Sequence, residues 1–268
     1  VTNLSRFELF FPERRQFFLE NGDLFANFGY SDIRPFFSRR IGLGVPINFG
    51  ARLSGKLDKN TRIGVMDMQT AKVEETGLPS QNFAVVSLQR KVFKRSNIGI
   101  LYIDKASLRY HPQPDSVPDK PLYSTYNRNL GLEYNLASSN NMWTGKAMLL
   151  KSFHPGAGKD DWTQAAHLQY SSRRWLIMGQ FQHVGEDYTA EAGYVPRRGY
   201  FKLNPMLAYN FFPKGGHLLT HGPQWTSNYY FDNAFHKTDH SNILSYLFTF
   251  RSKSTFNLIA QNDKVQLL

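Results

Sequence analysis

The feature that most constrains the fold is the rhythm of the breaks in this 268-residue chain. From residue 47 onward, β-rich stretches fall at 47–57, 62–70, 83–93, 98–104, 126–137, 142–153, 162–171, 175–185, 200–212, 217–231, 242–251 and 255–265. The connections between them are short and long in turn. The short ones are Asp58-Lys59-Asn60-Thr61, Lys94-Arg95-Ser96-Asn97, Ser138-Ser139-Asn140-Asn141, Ser172-Arg173-Arg174, Pro213-Lys214-Gly215-Gly216 and Ser252-Lys253-Ser254. They are rich in Asn, Ser, Gly and Asp, the residues that make tight turns. The long ones, 71–82, 105–125, 154–161, 186–199 and 232–241, carry Pro, Gly, charge and aromatics. A soluble sandwich or propeller would mix its loop lengths. Alternation over strands of about ten residues predicts an all-β, up-and-down antiparallel transmembrane β-barrel, with short periplasmic turns and longer outer loops.

Side-chain periodicity agrees with that expectation in several segments. Leu130, Leu132, Tyr134 and Leu136 alternate with Gly131, Glu133 and Asn135, so one face is apolar and the other polar. Leu244, Tyr246, Phe248 and Phe250 repeat the pattern opposite Ser245, Thr249 and Arg251, with Leu247 breaking it, and Ala166, Leu168 and Tyr170 do so opposite His167, Gln169 and Ser171. Glu133, Asn135, Gln169 and Arg251 are therefore expected to face the lumen. Aromatic residues gather at strand ends, as in Phe211-Phe212 and Tyr229-Tyr230-Phe231, where interfacial girdles need them.

Residues 1–46 do not share this regularity. Residues 1–11 read as a strand stopped by Pro12. Phe10 to Gly42 alternates doubled aromatics with charge and fits neither period, and it is too long and apolar to wave freely as an outer loop. It is expected to fold into or across the barrel as a plug-like segment, followed by the barrel strands of 47–268. If the short turns are periplasmic, the strand at 255–265 ends outside. An even-stranded barrel must then continue, so the chain is expected to be an excerpt of a larger barrel of at least 14 strands. Val1 at the start, with no signal-peptide core before it, and the non-aromatic Leu268 at the end fit that expectation.

Composition limits the chemistry. With no Cys there is no disulfide, thiolate metal site or cysteine nucleophile. Aromatics reach 15% while the mean hydropathy is only -0.45, and no run approaches a membrane-spanning helix. The net charge of +11 and pI near 9.7 predict an anionic partner. Nucleic acid is not expected, because the aromatics sit at strand ends rather than interleaved with base on one surface. Lys94-Arg95, Arg173-Arg174 and Lys214 lie at short turns, with Lys56 and Lys59 flanking another, so positive charge gathers toward one rim.

The stretches FPERRQFFLEN, FFSRRIG, GARLSGKL, KSFHP, EDYTAEAGYVPRRGY and FFPKGGHLLTHGP, in this order, resemble a family of uncharacterised outer-membrane β-barrel proteins of Gram-negative bacteria, a domain of unknown function. Members usually carry an N-terminal carbohydrate-binding module of the family-nine type before the barrel. The resemblance implies a location in the bacterial outer membrane and a cell-envelope role. Any sugar binding by the module would reside upstream of Val1.

Several clusters are candidates for function. Glu13, Arg14, Arg15, Glu20, Arg39 and Arg40 could form a charge network holding the plug-like segment, or bind a carboxylate or phosphate through arginine forks. Glu186, Asp187 and Glu191 are the carboxylates a glycosidase would need, and Tyr188, Tyr194, Arg197 and Arg198 accompany them; Tyr188, Tyr194 and Trp162 could offer stacking surfaces to a glycan. His236 and His240 share an HxxxH spacing that suits zinc on a helix, as do His217 and His221, although in a strand that spacing spans about 13 Å. Gly42-Leu43-Gly44 lacks a third glycine and a helix, and neither a GxSxG elbow nor a P-loop occurs. No cofactor or resident metal is expected. The expected function is a non-enzymatic, porin-like pore or surface component bounded by outer-membrane lipid and handling glycans or anionic small solutes. The alternative is a soluble all-β carbohydrate-active enzyme or glycan-binding domain using the loop carboxylates.

Overall fold

A computed structural model gives the architecture and describes residues 12–111 and 122–266. The expected strand at 1–11 lies outside the described residues. Twelve strands form one sheet in sequence order, each antiparallel to the next. They are β1 (Ile47–Lys56), β2 (Thr61–Thr70), β3 (Gln81–Val92), β4 (Ser96–Ser107), β5 (Tyr126–Ala137), β6 (Trp143–Phe153), β7 (Trp162–Ser171), β8 (Trp175–Val184), β9 (Tyr200–Tyr209), β10 (Leu218–Phe231), β11 (Lys237–Phe250) and β12 (Thr255–Lys264). The all-β, up-and-down order is the one expected. Closure is not: β1 and β12 are the free edges of the sheet, with no ladder between them among the described residues. Barrel closure requires strand number, tilt and stagger to bring the two edges together, and these twelve strands curl without meeting.

The outer face of the sheet is apolar and exposed, while the inner face buries polar groups among apolar ones. One ladder row runs Tyr170, Ile177, Leu207, Trp225, Leu244 across five strands. Its members face outward, with Ile177 44% and Leu244 57% exposed. A row on the opposite face runs Glu133, Met148, Ala165, Gln182, Lys202, Tyr230, Asp239. Here Glu133 is 4% exposed and Gln182 is wholly buried. The Leu130 and Leu132 face of β5 is likewise exposed and the Gly131 and Glu133 face buried. A soluble half-buried sheet does the reverse.

Pro205 sits inside β9, where it cannot donate to the ladder. The pairing of β9 with β10 is interrupted between Thr226↔Met206 and Tyr229↔Leu203, opposite this proline. The Asn204 side-chain amide donates to the Ser227 carbonyl at 2.6 Å. A side chain thus supplies the donor that the backbone lacks.

Two expectations need correction. The long connection placed at 232–241 is only 232–236, shorter than 210–217 between β9 and β10, so the strict short–long alternation fails there. Ladder pairs Tyr230↔Asp239, Tyr229↔His240 and Asn228↔Ser241 extend the hairpin. The Asp232 carboxylate closes it by accepting from the backbone N–H groups of Ala234 and His236. Those bonds, the His236 backbone donor foremost, hold the Asp232 carboxyl below its ordinary pKa. Arg251, expected to face inward from a strand, lies in the β11–β12 turn and donates to the Gly216 carbonyl at 3.0 Å.

Candidate functional site

Residues 12–46 fold against the concave, buried face of the sheet, where apolar and polar side chains are mixed. They contain only single turns, α1 (Gln16–Leu19), α2 (Asp23–Ala26) and a 3-10 turn at Ser38–Arg40, too short to be stable alone. Burial and side-chain bonds to the wall hold them instead. Leu24, Phe25, Phe28, Ile33, Phe36 and Ile41 share one apolar cluster with Met66, Val85, Leu101, Ile103, Leu150 and Val184 of the wall. The wall makes room with glycine. A Cβ on Gly64 would stand 2.6 Å from the Phe25 ring, and one on Gly131 would stand 2.8 Å from the Phe28 ring. Both distances are below contact, so these two rings occupy the space that side chains would fill.

Polar latches then fix the segment to one strand after another. Glu133 of β5 accepts from the Gly29 N–H at 2.7 Å and pairs with Lys146 of β6 at 3.0 Å. The same Lys146 ammonium donates to the carbonyls of Asn27 and Gly29 at 3.0 and 2.8 Å. One wall ion pair therefore satisfies both the donor and the acceptors of this backbone turn. The Tyr30 hydroxyl donates to the Lys146 carbonyl at 2.9 Å, with His167 of β7 at 3.3 Å. Burial, reinforced by the Glu133 charge, pushes the Tyr30 pKa up, so this hydroxyl stays protonated as a donor. Asp32 pairs with Lys202 of β9 and accepts from Gln182 of β8, both at 3.1 Å. Asp23 takes two bonds from Arg62 of β2, at 2.7 and 3.1 Å. Those bonds hold the Asp23 carboxyl below its usual range against the opposing effect of burial. Ser87 of β3 donates to the Leu24 carbonyl at 2.6 Å.

The connection between β8 and β9 folds over the segment and clamps it. Arg34 and Tyr194 exchange backbone hydrogen bonds at 3.0 and 2.8 Å, Phe37 N–H reaches the Ala192 carbonyl at 2.8 Å, and Arg40 donates to the Gly193 carbonyl at 3.0 Å. Gly193 is required here, because a Cβ would stand 2.3 Å from the Arg34 carbonyl oxygen. The clamp is anchored to the wall by Glu191, which accepts from Lys105 and Ser124, both at 2.5 Å, while its N–H bonds Asn127 at 3.0 Å.

Within the segment, Glu13 forms a staple. It pairs with Arg15 at 2.7 Å and accepts from the Ser38 hydroxyl at 2.6 Å and from the N–H groups of Arg14 and Arg15. Burial alone would raise this carboxyl, but those bonds outweigh it and hold the pKa at about 2. Arg15 goes on to the carbonyls of Ile41 and Ser38, both at 2.8 Å, and lies over the Phe18 ring at 4.3 Å.

Two cavities of about 580 Å³ each flank the packed segment. One opens toward the short turns, lined by Gln89, Asn97, Glu133, Asn135 and Lys146. The other opens toward the long connections, lined by Arg40, Lys105, Tyr188, Glu191 and Arg198. Between them the apolar cluster fills the interior.

The candidate residues from the sequence divide among these structures. Glu13, Arg15 and Arg40 belong to the staple and clamp, and Arg39 donates to the Pro12 carbonyl at 3.0 Å. Glu20 is exposed and stands 3.9 Å from Arg52, and Arg14 is exposed. Glu186, Asp187 and Glu191 do not converge on one point: Asp187 accepts from the Asp160 N–H at 3.1 Å, Glu186 from Asn233 at 3.3 Å, and Glu191 from buried Lys105. Each carboxylate scaffolds a different stretch. Tyr188 is wholly buried and Tyr194 is 9% exposed, so neither offers a stacking face. Burial raises the Tyr188 pKa. Trp162 faces outward with the Lys151 ammonium 4.3 Å from its ring. Arg197 pairs with Asp239 at 2.7 Å, and Arg198 donates to the Tyr188 carbonyl and the Thr189 hydroxyl. His236 bonds Asp232, and His240 lies on β11 bonded to Asn262. No group of three potential metal ligands comes together among the described residues.

Sequence reasoning missed Lys146, Lys202, Asp32, Gln182 and Lys105 as a set. For Lys146, Lys202, Gln182 and Lys105 the signal was available in principle as polar residues at inward parity along the strands, but which of them meet the segment, and that Asp32 of the segment faces two of them, depends on the curl of the sheet. Comparison with family models, curated proteins and solved structures finds no match to this chain.

Proposed function

We propose that this chain forms part of the wall of an outer-membrane β-barrel whose lumen is occluded by its own residues 12–46. In this reading it is a non-enzymatic, porin-like component of the Gram-negative envelope, of the kind the sequence motifs resemble. The exposed, apolar outer face carries the reading. Leucine, isoleucine and tryptophan cover the exposed face of consecutive strands, while Glu133, Gln182 and Asn127 are buried on the other. Water penalises a continuous apolar face of this size, and a lipid surround does not. The unpaired edges of β1 and β12 would be completed by further strands to give a barrel of at least 14, since bilayers do not tolerate open edges. The two polar cavities, with amide and charged linings, suit hydroxyl-rich or anionic small solutes on either side of the occluding segment.

The absence of cysteine allows a direct test by single-cysteine spin labelling. Labels at Leu132→Cys, Ile177→Cys and Leu244→Cys in the full chain, reconstituted in phosphatidylcholine bilayers, should be accessible to oxygen and shielded from a polar nickel chelate. High chelate access at all three, or a protein monodisperse without detergent, would overturn the membrane reading.

A further inference from the structure

We infer that the rim formed by the short turns is a docking surface for anionic glycerophospholipid headgroups in the leaflet it faces; this rests on the membrane reading above. Six connections lie at this end of the sheet, at 57–60, 93–95, 138–142, 172–174, 210–217 and 251–254. Together they hold eight Lys and Arg residues against a single acidic residue, Asp58. The Asp58 carboxylate is engaged within its own turn, accepting from Asn60 N–H, Thr61 N–H and the Thr61 hydroxyl. Lys59, Lys94, Arg95, Arg174, Lys214 and Lys253 are all exposed. The bonds made by Arg95 and Arg174 go to neutral oxygens, of Asn141 and Tyr209.

The opposite end is built differently. There Lys105, Arg128, Lys151 and Arg197 each face a carboxylate within 3.1 Å. Arg109, Lys159 and Arg198 are exposed there too, but the described connections at that end hold eight acidic residues against five basic ones, so the excess of positive charge lies at the short-turn rim. A second feature marks the same end as interfacial. Trp143 and Trp175 open their strands directly after two of these turns, 43% and 42% exposed. They pair with Tyr170 and Tyr209 at ring separations of 5.0 and 4.6 Å, and Tyr209 continues to Phe211 at 4.8 Å. An aromatic collar between an apolar band and a basic rim fits the order of acyl chain, glycerol backbone and phosphate in a lipid leaflet. The occupant most consistent with this layering is the anionic headgroup whose own acyl chains lie on the apolar band. An acidic soluble protein would account for the charge but not for the collar.

The collar also supplies the reporters. With Trp162→Phe and Trp225→Phe in place, Trp143 and Trp175 remain as the only tryptophans of this sequence. The protein is reconstituted in phosphatidylcholine bilayers containing equal mole fractions of either brominated phosphatidylglycerol or brominated phosphatidylcholine. The expected result is stronger quenching by the anionic lipid, equivalent to a local enrichment on the order of fivefold. Parity should return in 1 M salt, where the screening length falls to about 3 Å, and in the Lys94→Gln/Arg95→Gln/Arg174→Gln variant. Retained quenching by brominated phosphatidylcholine in that variant would show that insertion is intact. Equal quenching by the two lipids in the parent protein overturns the inference while leaving the membrane reading standing. No quenching by either lipid overturns both.

Discussion

Glu133 offers the sharpest test of how the interior segment is held. Its carboxylate is 4% exposed and carries three bonds: from Gly29 N–H at 2.7 Å, from Lys146 at 3.0 Å and from Asn135 at 2.6 Å. Glu133→Ala leaves the Gly29 donor without an acceptor and the Lys146 ammonium without its counter-charge in a mostly buried site. Breaking one side of such a pair costs about 3 kcal/mol or more. Glu133→Gln retains a carbonyl for Gly29 and a similar shape, and loses only the charge assistance, about 1 kcal/mol. Lys146 keeps its bonds to Asn27 and Gly29 in both variants, so the loss is local to this latch. Amide hydrogen exchange at Gly29 reads the opening directly. It should speed up on the order of 100-fold in the alanine variant and about fivefold in the glutamine variant, at 1.4 kcal/mol per decade. Amides in the β7–β8 ladder serve as the control and should be unaffected. Equal exchange in the two variants, or a parent-like rate in Glu133→Ala, would refute the assignment of Glu133 as the latch.

Other perturbations address the remaining contacts. Gly131→Val should expel the Phe28 ring at a cost of about 1–3 kcal/mol, raising ion conductance across planar bilayers; unchanged conductance would mean that the ring does not contribute to occlusion. Gly193→Ala should separate the clamp from Arg34 and Pro35, because a Cβ there stands 2.3 and 2.6 Å from their carbonyl oxygens, and limited proteolysis between residues 34 and 40 should accelerate. The Glu13 staple should weaken in acid. Its folded pKa of about 2 lies below the ordinary glutamate value of 4.5, so its stabilisation is complete above the ordinary value and is lost as pH falls from about 5 through about 2, by about 2 kcal/mol after allowance for solvent screening. Pepsin cleavage around Phe17–Leu19 should rise across that window in the parent protein and stay flat in Glu13→Gln. Glu186→Gln should leave the protein's behaviour toward glycans unchanged, and a glycan hydrolase activity abolished by it would overturn the non-enzymatic reading.

Much of the wall was legible from residue order. Period-two alternation in 130–136, with Gly131 and Glu133 opposite the leucines, identified the two faces of β5, because a strand's side chains have no choice but to alternate. Tight-turn residues such as Asp58-Lys59-Asn60 marked the hairpins for similarly local reasons. Where the alternation argument failed, at 232–241, cross-strand pairing to β10 had converted expected loop into strand, an energy that local composition does not contain. Candidate charges were harder to read. Glu186, Asp187 and Glu191 look like one acidic cluster in sequence, yet backbone turns send each to a different partner. The reverse holds for Glu133, Lys146 and Gly29, which are scattered in the chain and meet in space.

The sequence by itself therefore determined most of the strands, their order and, in alternating segments such as 130–136, the polarity of each face, since these follow from short-range geometry and the fixed period of the β backbone. Only the tertiary structure decided what lies against the buried face. Residues 12–46 have no period of their own. Their path is set by where Gly64 and Gly131 leave space for Phe25 and Phe28, and by where wall charges on β2, β5, β6 and β9 fall in register, which the curl of the sheet creates and no single strand encodes.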